Sequence, residues 1–400
     1  IVVKEIKVNF QQAVKHTALG RFRHEAVAVR AEVEKPLVVY SGCDRRGGHL
    51  YRFVSSKTVT DLKDKANSLL LEAGELQVAR FQADGTGDWL PLTPDTKVDP
   101  FLPSRFDQAG LTCPVELPNS DREQAVAELF RDDASVQAYR KRYPTLASLY
   151  RGDGEAVQGA ILVDAHLAAS AAGGTPTARP EDTKIDPISG DLLIAFTSGS
   201  PGMTGGADPE VFQGPEGQAS WPNGWVMRLT EQGEKDFRWR MAVTGGTPWA
   251  GGLGFTNPDN VAVDAKGNLW IVTDRSMKRA AGDVFGNNSC WFVPRNGDQN
   301  ETAACFAIGP MECEVTGVCL DRPEETLFLA IQHPGEVHGS HQSGGEEFQA
   351  HDLVDRDGKA FQQLRQLPLG SNWPAQAPGR PPRPGVVAVR RSSGEPLLGS

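Results

Sequence analysis

The stretch TNPDNVAVDAKGNLWIVTD, residues 256–274, decides the fold. Apolar and polar residues alternate over VAV, a polar D-A-K-G-N turn follows, and LWIV forms a second, more apolar run. Period-two alternation broken by an Asx/Gly turn is the pattern of a β-hairpin. This hairpin is flanked by carboxylates, Asp259 ahead of its first strand and Asp274 after its second. An apolar hairpin has no intrinsic need of acids at its ends, so their placement calls for a reason.

Three other stretches repeat the order of acid, short alternating strand, polar turn, apolar strand and polar residues. They are EAVAVRAEVEKPLVVYSGCD (25–44), EDTKIDPISGDLLIAFTS (181–198) and EVTGVCLDRPEETLFLAIQH (314–333). Degenerate hairpins repeated through a chain with 43 Gly and 28 Pro predict an all-β fold, a β-propeller whose blades are small antiparallel sheets around a channel. HLYRFVS (49–55), LQVARFQ (76–82), GWVMRL (224–229), CWFVP (290–294) and GVVAVRR (385–391) supply outer strands. Residues 115–172 read differently and predict a helical insertion, with Asn119, Ser120 or Asp121 as caps. Gly/Pro/Ser-rich residues 199–222, 335–350 and 370–384 read as long loops. The expected organisation is one propeller domain over 1–400, carrying the insertion within it.

Composition narrows the function. A net charge of −10 argues against nucleic acid as a partner, which would require a basic surface. No run of about 18 apolar residues predicts a membrane span. The six cysteines form no C-x-x-C pair, which removes zinc-ribbon and redox readings; they are expected as buried thiols, with one disulfide left open. The opening IVVKEIKVNF shows neither Met nor a signal pattern and reads as an internal start.

In a propeller the innermost strand of each blade runs along the channel. Glu25, Glu181, Asp259 and Glu314 hold the equivalent place just ahead of those strands, so the four acids are expected at one mouth of the channel. Two like charges 4 Å apart repel by about 4 kcal/mol at an effective dielectric of 20. Protons, arginines or cations must therefore accompany them. Asp44, Asp182, Asn260 and Thr316 add oxygens, and an oxygen-only set suits hard cations (Ca²⁺, Mg²⁺, Mn²⁺, Fe³⁺) better than zinc. The planar fork of Arg179, two residues before Glu181, would suit a phosphate or carboxylate ligand. His24 and His333 read equally as ligands or as structural hydrogen-bonding residues. A single acid ahead of a strand is ordinarily a solvated turn residue, and Asp186, Asp264 and Asp321 read as turn formers through Asx bonding.

The segments RFRHEAVAV, VVYSGCDRRGGHLYRFVS, ARFQADGTGDWLPL, RPEDTKIDPISG, NPDNVAVDAKGNLWIVTD and EVTGVCLDRPEETLFLAIQHPGE occur in that order. The ordered set resembles the PhoX-type alkaline phosphatases (the DUF839 family) over roughly residues 18–395. The resemblance implies a six-bladed propeller, hydrolysis of small phosphate monoesters, and Ca²⁺ and Fe³⁺ in the axial funnel. It implies metal-ligand roles for Glu25, Glu181, Asp259, Glu314 and Asp44, and a phosphate-binding role for Arg179. His24, Asn260, Thr316 and His333 would stand behind them. A periplasmic or secreted location is expected on the same ground, and the chain is expected to act as a monomer. Two departures accompany it. A family motif resembling T-C-E-E-N, tied to iron, is absent from this sequence, and the family's GDD-like segment reads Gly42-Cys43-Asp44, followed by Arg45. The expectation is a chain lacking its N-terminal blade or blades, with an incomplete metal set. No G-x-S-x-G element or Walker loop supports a serine nucleophile or an NTPase. A calcium-dependent lactonase-type propeller and a non-catalytic scaffold remain as other classes.

Overall fold

The computed structural model describes residues 14–119, 121, 123–276, 284–295 and 302–398. The first blade is built from β1 (His24–Arg30), β2 (Pro36–Cys43), β4 (Leu50–Thr58), β5 (Gly74–Phe81) and β6 (Thr86–Pro91), with the short β3 (Arg46–Gly48) between β2 and β4. After it come α1 (Ser104–Gln108), the hairpin β7 (Val115–Pro118) and β8 (Ala127–Phe130), then α2 (Asp133–Arg142), α3 (Gly154–Val163) and α4 (Ala165–Ala172). β9 (Thr177–Ala178) pairs back onto β3. The second blade follows as β10 (Pro180–Ile185), β11 (Leu192–Phe196), β12 (Trp225–Gln232) and β13 (Asp236–Thr244).

The third blade is β14 (Pro258–Val263), β15 (Leu269–Thr273), β16 (Ser289–Val293) and β17 (Ala304–Ile308). The fourth starts with β18 (Glu314–Leu320) and β19 (Thr326–Gln332), sends out the hairpin β20 (Glu346–Val354) and β21 (Ala360–Pro368), and returns as β22 (Gly385–Arg390) beside β19. All pairings within the blades are antiparallel. The innermost strands β1, β10, β14 and β18 lie side by side in that order, and among the described residues β1 and β18 make no comparable contact with each other. The outer strands of the first two blades also pair, β6 with β13, so these blades share a nine-stranded sheet. Among the described residues the architecture is an arc of four propeller blades, with each repeated stretch forming the inner hairpin of its own blade.

Local chemistry explains the hairpins. Asp264 Oδ1 accepts from the backbone N–H groups of Lys266 and Asn268, and Asp264 Oδ2 accepts from Trp270 Nε1. Asp186 and Asp321 close the turns of the second and fourth blades in the same way. Each turn acid satisfies backbone donors that the reversal strips from the ladder. Between blades the inner faces are apolar. Trp270, Val272, Val315 and Leu329 share one buried cluster, and Leu193, Val226, Val261 and Ile271 share another. Burying side chains of this size contributes about 1.5–3 kcal/mol each.

The insertion differs from its expected form. Residues 115–118 and 127–130 are strands, so helix begins only at Asp133, where Asp132 accepts from Ser135 N–H as the cap. Glu128 and Leu129 are exposed while Phe130 packs inward, a strand-like edge that helical spacing did not reveal. Asn119 accepts from Asp121 N–H in the turn and caps no helix, and Ser120 lies outside the described residues. The helices pack through Leu146, Ile161, Ala165 and Ala168 against Tyr51, Phe53 and Val78 of the first blade. The expected loop at 335–350 is broken by β20, which starts at Glu346. No disulfide forms: four cysteines are buried free thiols, and Cys305 and Cys319 are exposed ones. Among the described residues no helix is long and apolar enough to cross a membrane.

Candidate metal centre

The acids lie within the first two positions of the inner strands and not ahead of them. Glu25, Glu181 and Asp259 are the second residues of β1, β10 and β14, and Glu314 is the first of β18. Every one of these strands has a register break at its start, between His24 and Val27, Pro180 and Asp182, Pro258 and Val261, and Val315 and Gly317. A bulge bends the strand and re-aims a side chain. Three of the acids fall inside the break itself, and in β18 the inserted residue is Thr316.

One close approach carries the geometry. A Cβ on Gly42 would stand 2.3 Å from the Pro180 carbonyl oxygen, so only glycine lets β10 settle onto β2. That contact brings Arg179 and Glu181, on either side of Pro180, next to Asp44. Arg179 adopts the left-handed backbone conformation, φ +62°, uncommon outside glycine. Its Nε donates to Asp44 Oδ1 at 2.9 Å and its Nη2 to Asp44 Oδ2 at 3.2 Å. Nη2 also lies 2.6 Å from Glu181 Oε1, an ion pair without the angle of a hydrogen bond, which leaves that buried oxygen unbonded.

Oxygens of Glu25, Asp44 and Glu181 all lie within 4.8 Å of one another. Burial pushes the Glu181 carboxyl up to about 8, with Arg179 opposing and the charges of Asp44, Asp274 and Glu25 adding to the rise. Burial likewise raises Glu25. Asp259 is pushed to about 10 by burial and by the charges of Glu181, Glu314 and Asp274. It hydrogen-bonds the Glu314 carboxyl, an arrangement that needs a proton shared between the two groups. Glu314 is raised as well, by burial first and the Asp274 charge second, and its Oε2 lies 3.0 Å from His333 Nε2. Four sequence-distant acids thus sense one another's charge across four blades. Buried carboxylates in this arrangement persist only with protons or cations among them. The all-oxygen donors, the unbonded Glu181 oxygen and the proton-sharing Asp259–Glu314 pair together fit a hard cation.

Asp182 has a different job from the oxygen donor expected of it. Its Oδ2 accepts from Val261 N–H at 2.8 Å, tying the second blade to the third, and its Oδ1 takes Thr183 N–H and Lys184 Nζ. Both His24 nitrogens are engaged, Nδ1 with Ser41 Oγ and Nε2 with the Gly20 carbonyl, and the ring stacks on Phe22. Asn260 and Thr316 are half-buried bulge residues.

Three residues that sequence reasoning left without a role, Asp274, Arg46 and Glu336, stand beside Arg179, Glu314 and His333. Asp274, Arg46, Glu336, Arg179, Glu314 and His333 line an open cavity of about 820 Å³. Burial raises Asp274 while Arg179 opposes. The signal for Asp274 was positional: Asp44, Thr197, Asp274 and His333 each follow directly on the second strand of an inner hairpin. Behind Asp44 the insertion braces the loop, for Arg45 donates to Glu116 of β7 at 2.7 Å and His166 Nε2 of α4 stands 3.6 Å from the same carboxylate.

Comparison with known proteins now bears on this geometry. The family model of alkaline phosphatase PhoX matches residues 5–335. The chain belongs to the PhoX family. Among solved structures, "Pseudomonas fluorescens PhoX in complex with vanadate, a transition state analogue" superposes with a TM-score of 0.63 and 27% sequence identity, over 96% of this chain and 56% of that one. The chain therefore spans little more than half the length of that relative. No curated protein matches it.

Proposed function

We propose that this PhoX-family chain is the site-bearing part of a metal-dependent hydrolase acting on phosphate monoesters. The observation that carries the reading is Arg179, an arginine fork gripped by Asp44 and Glu181 and set among carboxylates on the wall of a cavity of about 820 Å³. Glu25, Asp44 and Glu181 would hold one cation, and Asp259 and Glu314 would hold another after releasing their shared proton. Bound there, such ions supply Lewis acidity toward phosphoryl oxygens. The family supports Ca²⁺ and Fe³⁺ as those ions, and an exported enzyme.

The chain's own groups do the positioning. Asp44 and Glu181 fix the Arg179 guanidinium before substrate arrives, so no reorganisation is needed as charge grows on the transferred group. His333, beside Glu314 and on the cavity wall, is placed to hold or release a proton near the leaving group. Asp274 adds a further oxygen donor on the same wall.

The test is p-nitrophenyl phosphate turnover by the chain with Ca²⁺ and iron supplied. Glu181→Gln and Arg179→Ala, each with an intact fold, should lower kcat/KM by about 10²-fold or more. Undiminished turnover in both variants would refute the assignment. Lactone hydrolysis in place of phosphate release would move the site to the lactonase class.

A further inference from the structure

The cavity wall carries a second arginine that the reading above does not use. Arg46 lies in β3, whose partner β9 ends directly before Arg179, and the ladder sets Arg46 opposite Ala178. The two arginines are therefore held one residue apart across a two-stranded sheet. Glycines enforce this: a Cβ on Gly48 would stand 2.0 Å from the Cys43 carbonyl oxygen, and Gly47 takes φ +69°. Neighbouring cations have partners. Arg45 turns away to Glu116, and Arg179 is tied to Asp44 and Glu181. Arg46 has no carboxylate within ion-pairing distance among the described residues; its Nη1 donates to the Ser200 backbone carbonyl, and its side chain is exposed at the cavity.

A guanidinium presents five donors, and one neutral carbonyl leaves most of them open. The Arg179 charge weighs on Arg46 more than the opposing Asp44 charge relieves it, so the patch gains when a further anion fills it. The cavity, at about 820 Å³, is far larger than a phosphate group and leaves room for the esterified part of a substrate.

We propose that Arg46 is a specificity residue that binds a second anionic group, a carboxylate or second phosphate, on the leaving-group side of the substrate. This rests on the monoester reading above, with Arg179 taking the reacting phosphoryl group and Arg46 the distal charge. The preferred class is then phosphate esters of hydroxy acids and bisphosphates, above esters of neutral alcohols.

Two matched pairs test this. Turnover compares 4-carboxyphenyl phosphate with phenyl phosphate, and calorimetry compares the corresponding non-hydrolysable phosphonates in the Ca²⁺-loaded chain. The wild type should favour the carboxylated member by about tenfold in kcat/KM and in affinity. Arg46→Gln and Arg46→Ala should bring that ratio towards one, and Arg46→Lys should restore part of it. A loss of folding or of general activity would lower both members together, so the ratio isolates the role. No wild-type preference, or a preference that survives Arg46→Gln and Arg46→Ala, overturns the proposal. Phosphonate discrimination without turnover of either ester supports the Arg46 site and refutes the hydrolase reading.

Discussion

Glu181→Gln should make the metal-free protein more stable in alkali and the calcium-loaded protein less stable. Glu181 is 5% exposed and its carboxyl is raised from 4.5 to about 8, mainly by burial. A group whose folded-state value lies above its unfolded value contributes stability at low pH that is lost as pH rises. Here the loss begins near 4.5 and is complete above about 8. At ~1.4 kcal/mol per pH unit, full ionisation costs on the order of 5 kcal/mol. Glutamine has no proton to lose, and the value of about 8 already includes the attraction of Arg179, so a net gain of roughly the same few kcal/mol is expected near pH 9 in EDTA. Near pH 5 the gain should vanish. The assay is thermal unfolding at both pH values, with EDTA and with excess Ca²⁺. Calcium at about 100 times its Kd adds ~2.7 kcal/mol to a chain that binds it, and the variant should lose that increment. A variant that melts below the wild type in EDTA near pH 9 would refute the reasoning, because the carboxylate would then be stabilising without a cation.

Gly42→Ala should separate β2 from Pro180, lower the melting temperature, and weaken binding of inorganic phosphate more than a remote core substitution of equal cost, as read by calorimetry. Asp182→Ala removes the acceptor of Val261 N–H between the second and third blades and should cost about 1–3 kcal/mol in urea unfolding. Asp264→Ala strips the turn of the third blade and leaves Trp270 Nε1 without that acceptor; a loss of similar size is expected, visible as altered Trp fluorescence. Glu312 accepts from the backbone N–H groups of Val337, His338 and Gly370 and shapes the loop bearing His333 and Glu336, so Glu312→Gln should reduce kcat with little change in KM.

The inner hairpins were legible because period-two alternation and an Asx turn are local signals, and each acid at their start could be aligned by eye. The β7–β8 hairpin was not, since Ala127–Phe130 sits in a charged stretch whose spacing also suits a helix. The bulges were invisible: nothing in P-E-D or P-D-N announces an extra residue, yet the bulge accompanies each acid. Asp182 and Asp259 illustrate the limit. Both are buried acids at the start of an inner strand, but one meets a backbone N–H and the other a carboxylate, and only the packing of one blade on the next separates those fates. Arg46 carried no local signal: its place follows from Arg46 and Gly48 pairing with Ala178 and Thr177 of the strand that ends before Arg179, a contact between residues far apart in the chain.

The central claim is that acids from four blades make one cation pocket. Calorimetric titration of the metal-stripped chain with Ca²⁺, near neutral pH and in two buffers of different ionisation enthalpy, tests it most directly. The account predicts saturable binding that releases protons, because raised carboxyls must ionise to ligate, and loss of both binding and proton release in Glu181→Gln/Asp259→Asn. Binding that the double variant retains unchanged, or that releases no protons, would contradict it.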